Sequence, residues 1–220
     1  YSNGYVEISC EASVQTNFRQ SVYEFNRNVS KLCKGKPINI YVGYDSRHSD
    51  LAELCKKCLA HGVNYGFGGG DINGSMSKWR PEIKFLDISK IPEYTRDYAN
   101  QSTEFTYSRF LIPYLENYEG FSIFIDNDFV WKKPFWEMFY FLHPNNAVAC
   151  VQYEYELEKM STTKMGGEKN VMYPKKLWSS FMVFNNAHED CKKLTPEVVN
   201  TASGQYLHQF EWTDSVDRIP

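Results

Sequence analysis

An α/β fold with a largely parallel sheet is what this sequence predicts, and three observations carry it. Apolar runs of strand length alternate with stretches of helical periodicity through most of the chain. The 220 residues, 42% hydrophobic and 23% charged, suit one domain with a packed core and argue against disorder. One run, Phe121-Ser122-Ile123-Phe124-Ile125, ends abruptly at Asp126-Asn127-Asp128. A strand buried on both faces explains that run, and the carboxyl ends of such strands are where ligands gather in open α/β sheets.

The elements follow in order. Phe18, Val22, Phe25, Val29 and Leu32 recur at helical spacing, which predicts an amphipathic helix over 16–33. Lys34-Gly35-Lys36-Pro37 breaks it, and 38–43 reads as a strand. Ser49 and Asp50 can cap a helix to about residue 60. The five glycines between 65 and 75 predict a loop without the Gly-Lys-Ser/Thr ending of a P-loop. A strand over 82–87 and a helix over 102–117, interrupted at Pro113, precede the central strand. Pro134 suits the first turn of a helix continuing to Leu142. A strand over 147–153, a long polar loop over 154–174, a strand over 178–185 and a final helix from Thr195-Pro196-Glu197 complete the reading. The first 36 residues stand as a helical appendage to one domain over 37–220. The chain begins with Tyr1 and ends at Ile219-Pro220 without a polar tail, which reads as a piece cut from something longer.

A net charge of −3 and a pI near 6.0 give no basic footprint for nucleic acid. No apolar run approaches a membrane span and no signal peptide is visible, so a cytoplasmic protein is expected. Cys55-Lys56-Lys57-Cys58 is a C-x-x-C without a second pair; the expectation is free thiols one helical turn apart. Sequons at Asn28, Asn73 and Asn100 decide nothing without a signal. Aromatics at 16% fill cores or stack on sugars and bases.

Asp126 and Asp128 carry the most chemistry. A hard divalent cation prefers carboxylate oxygens and can bridge them to phosphate oxygens. The competing reading is a strand that stops in an Asp-Asn turn.

Several blocks resemble the family 8-like glycosyltransferases. Tyr41-Val42-Gly43-Tyr44-Asp45-Ser46-Arg47, with Ala52 and Cys55 on the next helix, resembles their first strand and turn. The stretch from Ser102 through Arg109 to Pro113 resembles their second segment, and Phe124-Ile125-Asp126-Asn127-Asp128 their DXD motif. Tyr173 to Ser180 and Leu207-His208-Gln209-Phe210-Glu211-Trp212 resemble later blocks of one branch, all in order between residues 37 and 220. The resemblance implies a GT-A fold, a Rossmann-like, mixed but mostly parallel sheet flanked by helices. It implies a nucleotide-sugar donor, a manganese or magnesium ion and retention of anomeric configuration. His48 stands where a Glu commonly follows the first Arg, and the Gly usual near Asp217 is missing. A third metal ligand, a His, usually lies beyond the point where this chain stops; His208 is the substitute here.

By resemblance, Asp128 holds the metal and Asp126 reaches metal or ribose. Tyr44 stacks on the base, Asp45 contacts base or ribose, and Arg47 reaches phosphate or base; ordinary turn and solvent roles are the alternatives. Arg109 reaches the donor sugar or diphosphate, where its fork suits paired oxygens, or else pairs with an Asp of the neighbouring strand. Thr103 is a nucleotide-side candidate or a helix start. Trp178, Ser179 and Ser180 form the acceptor and sugar side, with Trp178 equally suited to the core. Gln209 presents its amide oxygen near the anomeric carbon, or is structural. Apart from the resemblance, the loop over 154–174, with Lys164 and Lys169, reads as a lid closing over the diphosphate, or else as a disordered surface loop.

The function expected is metal-dependent transfer of a hexose from a nucleotide donor, a UDP-sugar, to a hydroxyl of a glycan, protein or lipid. Two rivals stay open. One is a catalytically inactive sugar- or nucleotide-binding module. The other is a magnesium-dependent phosphotransferase, although Phe129-Val130-Trp131 lacks the Thr such enzymes need after the first Asp.

Overall fold

The computed structural model describes residues 33, 36–68, 81–99, 101–131, 143–154 and 175–219. The expected helices over 16–33 and after Pro134, the glycines beyond 68 and the lid over 154–174 with Lys164 and Lys169 lie outside the described residues, apart from Cys33 and the backbone of residue 154.

Six strands form one sheet among the described residues: β1 (Asn39–Gly43), β2 (Glu82–Leu86), β3 (Phe121–Ile125), β4 (Val148–Glu154), β5 (Lys175–Asn185) and β6 (Val216–Ile219). Their order is β2-β1-β3-β5-β4-β6. β1 pairs parallel with β2 and β3, β5 runs antiparallel to β3 and β4, and β6 pairs parallel with β4. Five strands therefore share one direction. This is the mixed, mostly parallel sheet expected from the alternation of strands and helices.

Both faces of the centre are covered, which is why β1 and β3 are buried at every position. Ile40, Val42, Ile123, Ile125 and Val183 face helix α1 (Ser49–Gly68), which answers with Ala52, Cys55, Leu59 and Val63. Tyr41, Phe124, Met182 and Phe184 face the other way, onto Phe105, Phe110, Leu111, Leu207 and Trp212. Alternation along each strand divides the two cores.

Several local expectations need correction. α1 does not stop near residue 60 but runs to Gly68, into the stretch read as a glycine loop. The helix expected over 102–117 is a series of turns, a 3-10 segment over Ser108–Leu111 and one short helix, α2 (Ile112–Leu115). Pro113 sits in the first turn of α2, where its missing N–H has no role, so it starts a helix rather than interrupting one. β5 begins at Lys175, earlier than Trp178. Two short helices, α3 (Pro196–Thr201) and α4 (Gly204–His208), replace the single final one, and β6 was not expected at all.

Phe210 follows α4 with φ of 56°, a left-handed cap that a glycine usually takes. Glu211 N–H donates to the Tyr206 carbonyl (3.0 Å), closing the end of the helix, while the Phe210 ring is buried edge-on to Phe110. Burial of the ring compensates the backbone strain and fixes where α4 presents His208.

Gly43, the last residue of β1, is a contact glycine. A Cβ there would stand 2.7 to 2.8 Å from three carbons of the Phe105 ring, which is itself buried against Phe124. Gly43→Ala is expected to destabilise the fold by about 1–3 kcal/mol through overpacking. The urea unfolding midpoint measures this, and a wild-type midpoint contradicts it.

Candidate active site at the carboxyl edge of the sheet

The parallel register brings three strand ends to one edge. Val42 lies opposite Ile125 and Gly43 opposite Leu86, so Tyr44 and Asp87 leave their strands level with each other and Asp126 leaves β3 level with Gly43, one residue short of Tyr44, the strands standing about 4.8 Å apart. This is the edge at which the sequence placed its ligand.

Asp126 continues the β3 ladder by one bond, its N–H donating to the Ser180 carbonyl (2.9 Å). Its own carbonyl accepts from Phe129 N–H (3.4 Å) and lies 3.8 Å from the Cys55 thiol on α1. The turn over 126–129 is thus real, yet it occupies only backbone groups. The Asp126 side chain keeps 23% of its surface and the whole of Asp128 is exposed.

Arg109 is the partner. It is 5% exposed, and its Nη1 stands 2.9 Å from Asp126 Oδ1. The same Nη1 donates to the Ser179 carbonyl (2.8 Å) and Nε donates to the Phe105 carbonyl (3.1 Å). The guanidinium lies 4.6 Å from the centre of the Phe124 ring, a cation on an aromatic face. No donor is aligned on Asp126 Oδ1, which is buried without a hydrogen bond despite the adjacent charge. The contact is a close ion pair.

Burial dominates the Asp126 carboxyl and raises its pKa to about 6, with Asp128 adding to the rise and Arg109 opposing it. Burial likewise pulls Arg109 below the usual arginine value against the attraction of Asp126, but a guanidinium stays charged.

A bulge in β5 makes this arrangement. Opposite the adjacent pair Cys150 and Val151 of β4 stand Met182 and Trp178, leaving Ser179, Ser180 and Phe181 without β4 partners. Ser180 stays in the β3 ladder through the Asp126 N–H, while the Ser179 carbonyl serves Arg109. Trp178 is 40% exposed and stands just before the bulge. Ser179 and Ser180 therefore stand at the Asp126–Arg109 pair and act there through their backbone, with Trp178 just before them in β5.

The nucleotide-side candidates divide. Tyr44 is half-buried, its ring 5.4 Å from Phe85. Asp45 is 1% exposed and accepts from Arg47 Nε (2.8 Å) and Nη2 (2.6 Å), from Arg47 N–H (3.0 Å) and from Glu104 N–H (3.3 Å). The Arg47 bonds hold its carboxyl down at about 2. Both Asp45 oxygens are engaged within the protein, where the residue braces the wall of the site. Arg47 is tied to Asp45 and to the Ser102 carbonyl (3.1 Å). Thr103 closes a turn with Thr106, hydroxyl to hydroxyl at 3.0 Å, and does not start a helix.

A cleft of about 530 Å3 opens beside Tyr44, lined by Asp87, Tyr94, Arg96, Tyr98 and Glu104 among others. This volume is in the range of ligand sites. None of these other residues was singled out from the sequence. The segment carrying them is pinned from a distance: Asn200 Oδ1 accepts from Thr95 N–H (3.0 Å) and Arg96 N–H (3.2 Å), and Arg96 Nη1 donates to the Val199 and Ala202 carbonyls. Glu104 accepts from Ser46 N–H and Oγ, joining the cleft to the β1 turn.

His208 is not a metal ligand here. Its Nδ1 is 2.8 Å from Ser179 Oγ, and its ring packs on Phe110 (5.1 Å, edge-on) and Tyr107 (5.5 Å). Burial, then Arg109 and Arg96, push it down to about 3. No cluster of three His, Cys, Asp or Glu side chains able to hold a metal forms among the described residues. Gln209 caps α4 through its backbone, and its Nε2 is buried with no hydrogen-bond partner among the described residues. The five described cysteines are free thiols, as expected.

The two carboxylates still fit a divalent cation. They supply hard oxygens, one buried and lacking a donor, the other exposed, and diphosphate oxygens and water are the usual complement. No helix among the described residues is long and apolar enough to cross a membrane.

The chain is 34% identical over 180 residues to Protein CDI of Arabidopsis thaliana, a match that takes in 81% of this chain and 64% of that protein. No family model matches. The apo structure of the bifunctional glycosyltransferase WbbM superposes over 84% of this chain and 39% of its own, with a TM-score of 0.55 and 17% identity. GlyE, a glycosyltransferase of Streptococcus pneumoniae, aligns over 84% of this chain and 46% of its own, at a TM-score of 0.47 and 11% identity. The chain thus spans about two fifths of WbbM and under two thirds of the plant protein. The likeness to WbbM is one of fold: the α/β, Rossmann-like architecture of a glycosyltransferase domain.

Proposed function

We propose that this chain is the catalytic domain of a metal-dependent glycosyltransferase moving a hexose from a UDP-sugar to a hydroxyl acceptor. The observation that carries the reading is the juxtaposition at one sheet edge of Asp126, Asp128 and buried Arg109 with the Tyr44 cleft. The fold shared with WbbM and the order of the sequence blocks support it.

In this reading the cleft takes the nucleoside, with the Tyr44 ring offering a flat face to the base. Asp126 and Asp128 would hold a manganese or magnesium ion, whose chemistry when bound is to neutralise the departing diphosphate as a Lewis acid. Arg109 adds a fixed positive charge on the same side. Held in a dry, aromatic setting, that charge needs no reorganisation as the leaving group forms. The bond from the anomeric carbon to the diphosphate oxygen breaks with its electron pair going to that oxygen, a bond to the acceptor oxygen forms, and the acceptor proton passes to the departing diphosphate. Trp178 offers an apolar face to the acceptor or sugar. Retention, implied by the family resemblance, places acceptor attack on the face that the leaving group vacates.

Calorimetric titration of UDP, GDP and CMP with and without manganese tests this. UDP is expected to bind best, and at least about tenfold more tightly with the metal, a difference of 1.4 kcal/mol. Equal UDP affinity with and without metal rejects the proposal.

A further inference from the structure

Arg109 Nη1 has two oxygens within reach, Ser179 O at 2.8 Å and Asp126 Oδ1 at 2.9 Å, and it is aligned on the first. A guanidinium beside a carboxylate ordinarily makes the charge-assisted bond, because that is the stronger one. Nη1 carries two N–H groups, so the Ser179 carbonyl shares this nitrogen with the carboxylate and helps to set where the guanidinium sits.

Ser179 lies in the segment of β5 without β4 partners, next to Ser180, which the β3 ladder holds. The Ser179 side chain supplies a further anchor. Ser179 Oγ is 2.8 Å from Nδ1 of His208. The ring of that imidazole is wedged between Phe110 and Tyr107. With the ring neutral and Nδ1 unprotonated, Nδ1 accepts the Ser179 hydroxyl proton. α4 in turn is fixed by the buried Phe210 cap.

We propose that Ser179 and His208 are positioning residues. Their bond anchors the β5 bulge, and the anchored Ser179 carbonyl fixes the Arg109 guanidinium beside Asp126, at a set distance from the carboxyl that would meet a cation. The inference rests on the reading of Asp126 and Asp128 as a cation site. It adds two residues that touch neither cation nor substrate.

The test uses Ser179→Ala, His208→Phe, which keeps a ring without nitrogen, and His208→Asn, which keeps an acceptor at the Nδ1 position. Manganese binding is followed by calorimetry, and the Arg109 side-chain N–H signals are followed by 15N NMR in metal-free protein. Ser179→Ala and His208→Phe are each expected to weaken manganese binding about fivefold, the scale set by one hydrogen bond. The double variant should lose no more than either single one, because both remove the same contact. Both should shift the Arg109 signals, and His208→Asn should restore binding and signals. Wild-type affinity and unshifted Arg109 signals in Ser179→Ala and His208→Phe overturn the inference, as does fully additive loss in the double variant. If the wild-type protein binds no manganese, the cation reading fails, and the metal-free Arg109 signals alone then decide the anchoring.

Discussion

Replacing Arg109 with Met is expected to destabilise the metal-free protein by about 3–5 kcal/mol at pH 8, the usual loss when one partner of a buried ion pair is removed. Met fills much of the same space, so the loss comes from charge rather than volume. The dependence on pH identifies the cause. Asp126 has its pKa raised from 3.8 to about 6 in the fold. Between those values the folded chain holds a proton that the unfolded chain has released, so stability falls as pH rises from about 4 to 6 and levels off above. Removing Arg109 removes the one charge that opposes the rise, so the carboxyl pKa climbs further and the falling window extends toward neutral pH. At pH 5 both proteins carry Asp126 largely protonated, and the difference between them should shrink to the scale of lost cation–aromatic and backbone contacts, about 1–2 kcal/mol. Urea unfolding of both proteins at pH 5 and pH 8 measures this. Equal differences at the two pH values show that the ion pair is not what Arg109 contributes.

Arg109 also shows how far the sequence could be read. A cation among Phe105, Phe110, Leu111 and Ile112 announces a partner, and two readings were open: a donor-side contact or a pair with a neighbouring Asp. The structure makes the pair with Asp126, the residue first assigned to the ligand. β1 and β3 were legible because burial on both faces leaves near-continuous apolar runs. β6 was not, since Val216-Asp217-Arg218-Ile219 is a half-exposed edge strand whose pairing with β4 is decided by tertiary contacts. The Asp45–Arg47 pair could have been found, because an Asp two residues before an Arg in a turn can close on it locally. The cleft could not. Its Tyr94–Tyr98 wall is set by Asn200, about a hundred residues along the chain, and no local pattern records that bond. Nor does any pattern record the β5 bulge, which turns two serine carbonyls toward the site in place of their side chains.

Asp128→Ala separates site from fold more cleanly than any other change. The residue is exposed and just past the end of β3, and it packs into neither core. Its removal is expected to leave the unfolding midpoint unchanged, since exposed substitutions of this kind stay within about 0.5 kcal/mol. Asp126 should lose a like-charged neighbour, so its pKa falls toward the ordinary carboxylate value. The cation site fares differently. One of two anionic ligands disappears, and the remaining one already faces Arg109, so a divalent ion meets a pair close to neutral. Manganese-dependent UDP binding should fall at least about a hundredfold, a difference of 2.7 kcal/mol, and sugar transfer with it. Asp128→Asn keeps the shape and an acceptor oxygen but removes the charge, and it should fall nearly as far, because a hard cation discriminates by charge as well as by oxygen. Calorimetry with UDP and manganese, beside a thermal melt of each variant, separates the effects. Unchanged UDP affinity in a folded Asp128→Ala protein removes the metal from the site, and a lowered melting temperature would show that Asp128 supports the turn instead.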